Sequence, residues 1–181
     1  MVKLAGGTLK IPPTVLGSSA AATNRITIHV DGVDLAALLD LLGVDGVSGT
    51  GRLSGTIPLR QNSQAVGVDG GLLAAAGPGV MKIRSVAVKK ALARGGADVV
   101  LMLEALEDFH YETLTLKIDK AFGGEGRILL STRGHNPAVR NSQPFVINLN
   151  VSGNVDRLAA VAAQTLRLPA DFVRSMIPKA P

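Results

Sequence analysis

Residues 47–59 read Val-Ser-Gly-Thr-Gly-Arg-Leu-Ser-Gly-Thr-Ile-Pro-Leu. Val47, Leu53, Ile57 and Leu59 fall on odd positions together with Gly49, Gly51 and Gly55, while Ser48, Thr50, Arg52, Ser54 and Thr56 hold the even ones. A strand turns successive side chains to opposite faces, so this period of two predicts one face that is apolar or bare backbone and one that is polar. Three glycines on a single face predict a strongly curved strand, or a backbone against which something slides.

The same alternation recurs on both sides. Ile26, Ile28 and Val30 alternate with Thr27 and His29. Further along, Phe109 and Tyr111 are odd while Leu114, Leu116 and Ile118 are even. A one-residue slip flips every side chain, so this change of parity predicts a bulge near Glu112-Thr113. Gly123-Gly124 reads as a hairpin turn into Ile128, Leu130 and Thr132. Gly134-His135-Asn136-Pro137 is a turn by composition. Beyond it, Phe145, Ile147, Leu149 and Val151 alternate with Val146, Asn148 and Asn150.

Helices punctuate the strands. Asp34 is a suitable N-cap for Leu35, Leu38, Leu39 and Leu42, with Gly43 as the stop. Val99–Leu106 reads as a second helix, with Asp98 near its start. Asn154 opens a third carrying Leu158, Val161 and Ala162, and Pro169-Ala170-Asp171 a short terminal one, so residues 154–181 are expected to be a helical segment. The whole chain, 1–181, is read as one unit: mainly β with short α-helices, a long antiparallel sheet of sequential strands. Such a sheet can close as a β-sandwich or curl into an open trough, and alternation does not separate the two. On pattern alone the sandwich is the ordinary solution, because large exposed apolar patches are unusual.

Composition narrows the function. Hydrophobic residues make up 46% and charged ones 18%, so disorder is not expected. Aromatics are 3% with no Trp, which leaves an aliphatic surface chemically close to acyl chains. The net charge is +5, but Lys and Arg are scattered and no basic stripe interleaved with aromatics exists, which argues against nucleic acid. Zero cysteines exclude disulfides and thiolate metal sites. No apolar run reaches the ~18 residues of a membrane-spanning helix. Met1 to Lys10 lacks the pattern of a signal peptide, and its immediate strand-like character suggests an excised fragment.

No catalytic or metal-binding constellation emerges. His29, His110 and His135 lack partners at metal-ligand spacing, and His29 lies on the polar face of its strand. His110 shares a parity with Glu112, which reads as a surface contact. Asp31 and Asp34 flank a helix start, where capping accounts for them. Glu104, Glu107 and Asp108 mark a helix end. Ser18-Ser19 lacks the glycines of a nucleophile elbow, and Gly77-Pro78-Gly79 lacks the Lys-Ser/Thr of a phosphate loop, so a tight turn is the reading there. No cofactor and no enzymatic activity are expected.

Six segments in order resemble the C-terminal region of the YdbH family, within the AsmA-like group that includes TamB and YhdP. They are Val33-Asp34-Leu35, the run from Gly49 to Pro58, the run from Gly71 to Gly79, Ala105 to Tyr111, Gly134 to Pro137, and Pro144 to Asn150. They span roughly residues 25 to 160, and nothing after Leu168 matches. The family commonly carries Arg where this chain has His135, so no role is placed on that side chain.

The resemblance implies an open, taco-like β-groove in the periplasm of a Gram-negative bacterium. It further implies a longer protein anchored in the inner membrane, with this segment near the outer membrane and phospholipids moving along the groove. It also implies a small outer-membrane lipoprotein of the YnbE type that adds strands to an open edge. On that reading the groove is lined by Ile26, Ile28, Val30, Leu53, Ile57, Leu59, Ile128, Leu130, Phe145, Ile147 and Leu149, with Gly49, Gly51 and Gly55 keeping its floor clear. Two other readings stand beside it. One is a closed assembly domain that docks the lipoprotein and carries no lipid. The other is dicarboxylate binding, which ranks lower because no paired arginine clamp is visible.

Overall fold

The computed structural model describes residues 2–13, 23–42, 46–62, 65–84 and 96–153. The helices expected beyond Asn154, the stop at Gly43 and the Ser18-Ser19 loop lie outside the described residues. Ten strands form one antiparallel sheet: β1 (Val2–Leu4), β2 (Gly7–Lys10), β3 (Asn24–Asp34), β4 (Val47–Gly49), β5 (Arg52–Gln61), β6 (Val66–Ala75), β7 (Gly79–Ile83), β8 (Phe109–Lys120), β9 (Gly126–His135) and β10 (Phe145–Gly153). Among the described residues two α-helices interrupt them, α1 (Leu35–Leu42) and α2 (Gly96–Leu106).

The topology is a meander. β1 to β2, β2 to β3, β3 to β5, β5 to β6, β6 to β8, β8 to β9 and β9 to β10 pair in turn. The outermost strands β1 and β10 do not pair with each other, so the sheet is a single open one, neither a barrel nor a two-sheet sandwich.

Sequence expectation and structure part company at 47–59. The stretch is not one strand but two, β4 and β5, broken at Thr50-Gly51. Likewise β6 and β7 are separated by Ala76 to Pro78, so Gly77-Pro78-Gly79 joins two strands that run successively along β8. β4 pairs with β7 and β5 with β6, so that β4 with β5, and β6 with β7, each behave as one long interrupted strand. The cause of the break is Tyr111. Its hydroxyl donates to the Thr50 carbonyl at 2.6 Å. A Cβ on Gly51 or Gly79 would overlap that hydroxyl. Gly51 also takes φ +125°, a value that suits glycine.

Other expectations hold with small displacements. The bulge in β8 falls between Tyr111 and Thr113. Asp34 caps α1, its Oδ1 accepting from the Ala37 N–H at 3.0 Å. Asp31 has no capping role and pairs with Lys10 at 3.8 Å. α2 begins at Gly96, three residues before the expected Val99. The turn expected at Gly134 begins instead at Asn136, because Gly134 is still in the ladder, paired with Tyr111 and Phe145. A Cβ there would strike the His110 carbonyl, so glycine permits close strand approach at that point and does not make a turn.

Both helices enter at the same end of the sheet, α1 after the last residue of β3 and α2 before the first of β8. The apolar face consequently divides into two packed clusters. One, from Leu9 on β2 through Ile28, Leu59 and Leu73 to Ile118 on β8, is built from strand residues with Leu38 of α1 at its margin. The other joins Leu35 of α1 and Ala105 and Leu106 of α2 to Leu53, Phe109, Tyr111, Leu114 and Ile147.

Candidate functional site

Register turns the strand alternation into rows that run from strand to strand across one face. Nearest the helices stand Gly79, Tyr111, Gly134 and Phe145. The next row holds Val33, Leu53 and Ala75 on one side and Leu114, Thr132 and Ile147 on the other. The central row is Val30, Gly55, Leu73, Leu116, Leu130 and Leu149. Beyond it come Ile28 and Ile57, then Gly71, Ile118 and Ile128. The last row is Ile26, Leu59, Val68, Lys120 and Gly126.

From β3 to β10 a row crosses six strands. At ~4.8 Å between strands that is about 24 Å, longer than the ~15 Å one acyl chain spans in a leaflet of a ~30 Å hydrocarbon core. Between the first row and the last, the side chains are aliphatic or glycine with a single exception. The polar exception near the centre, Thr132, is satisfied within the sheet, its hydroxyl donating to the Thr113 carbonyl at 2.8 Å.

Every apolar residue expected to line a groove lies on this face, distributed over both clusters. Ile26, Ile28, Val30 and Leu59 are buried in the helix-free cluster, with Ile57 and Ile128 packed against it. Leu53, Leu130 and Ile147 are buried in the helix-capped one, flanked by Phe145 and Leu149. Their burial is nearly complete, from 0% exposure at Leu53 to 9% at Leu130, while Ile57, Ile128, Phe145 and Leu149 are half-buried. Above each of the three expected floor glycines stands this protein's own structure. A Cβ on Gly49 would meet Leu35 of α1, one on Gly51 the Tyr111 hydroxyl, and one on Gly55 the Leu72 carbonyl of β6.

The polar face behaves as alternation predicts. His29, Asn148 and Asn150 are exposed. His110 engages Asp108 (Nε2 to Oδ2 3.7 Å) and faces His135 across the ladder with ring centroids 5.7 Å apart, whereas Glu112 pairs with Arg133 at 3.8 Å. The contact read between His110 and Glu112 is therefore replaced, because the bulge separates them. Asp108 lies beside Lys82 (3.1 Å), whose hydrogen bond and charge, with a smaller contribution from His110, hold its carboxyl below the usual range. Among the described residues no three ionisable side chains form a metal-binding group, and no helix is long and apolar enough to cross a membrane.

Three residues that shape this face escaped the sequence reading. Asn136, buried at 3%, donates its Nδ2 to the Glu104 and Ala105 carbonyls at 3.0 and 3.2 Å and so closes the C-terminus of α2. Tyr111 pins the strand break, and burial pushes its phenol pKa up. Lys120 shares the even parity of Leu114, Leu116 and Ile118, a signal that was present in the sequence.

A family model described as "YdbH-like: Intermembrane phospholipid transport protein YdbH" matches residues 2–159. Neither a curated protein nor a solved structure matches the chain.

Proposed function

The chain belongs to the YdbH-like family of intermembrane phospholipid transport proteins, a family of the cell envelope, and from that premise we propose that its aliphatic rows are the track on which phospholipid tails travel. The observation that carries this reading is the central row of Val30, Gly55, Leu73, Leu116, Leu130 and Leu149, in register from β3 to β10 on a sheet that does not close. Acyl chains gain on the order of 0.8 kcal/mol per CH₂ removed from water. A strip of uniform aliphatic side chains lets a tail advance without exchanging that gain for a large barrier, while headgroups left in water avoid the cost of burying charge. No catalytic residue is needed. Because Ile26, Ile28 and Val30 are almost fully covered, loading requires the packed face to part, and the helix-free cluster is where this reading places entry.

The same reading puts the segment in the periplasm, as part of a bridge from an inner-membrane anchor towards the outer membrane. β10 supplies the edge for a small lipoprotein partner. Nine residues long, it carries neither Lys nor Pro, and among the described residues it bonds to β9 alone. The opposite edge, β1, has three residues and one of them is Lys3. Long uncharged edges recruit strands and short charged ones resist them.

Photocrosslinking side chains at Ile57 and Leu149 should capture phospholipid in cells, and those at Thr56 and Asn148 on the polar face should not. Capture confined to the polar-face controls would sink the track. A second reading draws on the completeness of burial: a dry, closed face whose business is docking the lipoprotein. It predicts protein adducts along β10 and no lipid at Ile57.

A further inference from the structure

Register brings together two histidines that lie far apart in the chain. His110 of β8 stands directly opposite His135 of β9, and their ring centroids are 5.7 Å apart. The strands approach closely at this point, since a Cβ on Gly134 would strike the His110 carbonyl. Tyr111, next to His110, is buried and pinned by its bond to the Thr50 carbonyl. Both histidines therefore project from backbone that is held in place, and both keep part of their surface in water.

That separation suits a shared metal ion. A transition ion sits ~2.0–2.1 Å from an imidazole nitrogen, hence about 3.2 Å from the ring centre, and two rings bound at a tetrahedral or somewhat wider angle have centres about 5–6 Å apart. The surrounding charge accommodates a dication. The Asp108 carboxylate lies 3.7 Å from His110 Nε2, while the cations nearby are engaged, Lys82 by Asp108 at 3.1 Å and Arg133 by Glu112 at 3.8 Å.

We propose that His110 and His135 chelate one divalent transition-metal ion, of the zinc or copper class, and so clip β8 to β9 beside the bulge. Imidazole suits such ions, whereas magnesium and calcium take oxygen ligands. Water completes the coordination, because among the described residues no third side chain joins the pair. Neither strand alone carries both ligands, so the ion binds the folded sheet better than the unfolded chain and stabilises the pairing. The site lies on the polar face, away from the aliphatic rows, and needs no lipid.

The test is calorimetric titration of the purified, tag-free chain with zinc chloride. Wild type should bind one ion and ignore magnesium chloride. His110→Ala and His135→Ala should each weaken zinc by at least about tenfold, the least that loss of even an outer-shell partner costs. The chain has three histidines, and the third, His29, stands on β3, separated from β8 by β5 and β6, so His29→Ala should bind as wild type does. Wild type that takes up no zinc, wild-type affinity in either pair variant, or an equal loss in His29→Ala overturns the site. Zinc should also raise the urea midpoint of wild type and leave that of His135→Ala where it was; equal stabilisation of both refutes the clip. Should the pair variants fail to fold, copper(II) bound to wild type decides by electron spin echo spectroscopy. Modulation from two imidazoles supports the shared ion, and modulation from one or none refutes it.

Discussion

The two ends of the apolar face are built from different materials. At the helix-capped end, Phe109, Tyr111 and Phe145 meet Leu35, Ala105 and Leu106 from two helices, and Leu53, Ala105, Leu106 and Phe109 have no exposed surface at all. The helix-free end has no aromatic residue in its cluster; Ile, Val and Leu from β2 to β9 pack on one another. Aromatic rings demand particular shapes around them, as Gly51 and Gly79 show by yielding space to Tyr111. Aliphatic rows make no such demand. The difference teaches where the molecule is committed to one arrangement and where another apolar body could replace its own side chains.

Three substitutions probe that contrast, in falling order of effect. Phe109→Ala empties the centre of the capped cluster and should cost ~3–5 kcal/mol in urea unfolding. If its cost proved no greater than that of Ile128→Ala on the half-buried margin of the other cluster, the distinction between the ends would fail. Asn136→Ala leaves the Glu104 and Ala105 carbonyls without their donor and should cost ~1–3 kcal/mol. Hydrogen exchange should accelerate in α2 and leave β3 unchanged; equal acceleration in β3 would mean that the two ends are one cooperative unit.

Tyr111→Phe should cost about 1 kcal/mol near neutral pH through the lost bond to Thr50, and it carries a pH signature. Burial raises the Tyr111 pKa in the folded state above its value of about 10 in the unfolded chain. Its contribution is therefore complete below pH ~10 and is lost as pH rises through the folded value. The wild-type urea midpoint should fall more steeply above pH ~10 than that of Tyr111→Phe, and parallel curves would place the phenol in water.

The contrast between the ends also separates what was legible in the chain from what was not. Ile26, Ile28 and Val30, and the switch of parity before Leu114, could be read because a strand's two-residue period is a local property. The break at Thr50-Gly51 could not, since it depends on a tyrosine sixty residues away. Asn136 looked like one turn residue among several, because its partners on α2 are remote in sequence. Lys120 stood in plain parity with Ile118, yet a lysine at a strand end reads as solvent-facing until the neighbouring strands are in place.

The sequence by itself determined an antiparallel, two-faced sheet with helices at Asp34 and before Leu106, and a family resemblance carried by motifs in order. Only the tertiary structure decided that the sheet stays open at β1 and β10, that both helices gather at one end, and that the aliphatic rows align across strands with a cation in the last of them. Alternation sets which way each side chain points through backbone geometry alone. What each side chain then meets depends on register between strands, and register is fixed by pairings and packing that span the whole chain.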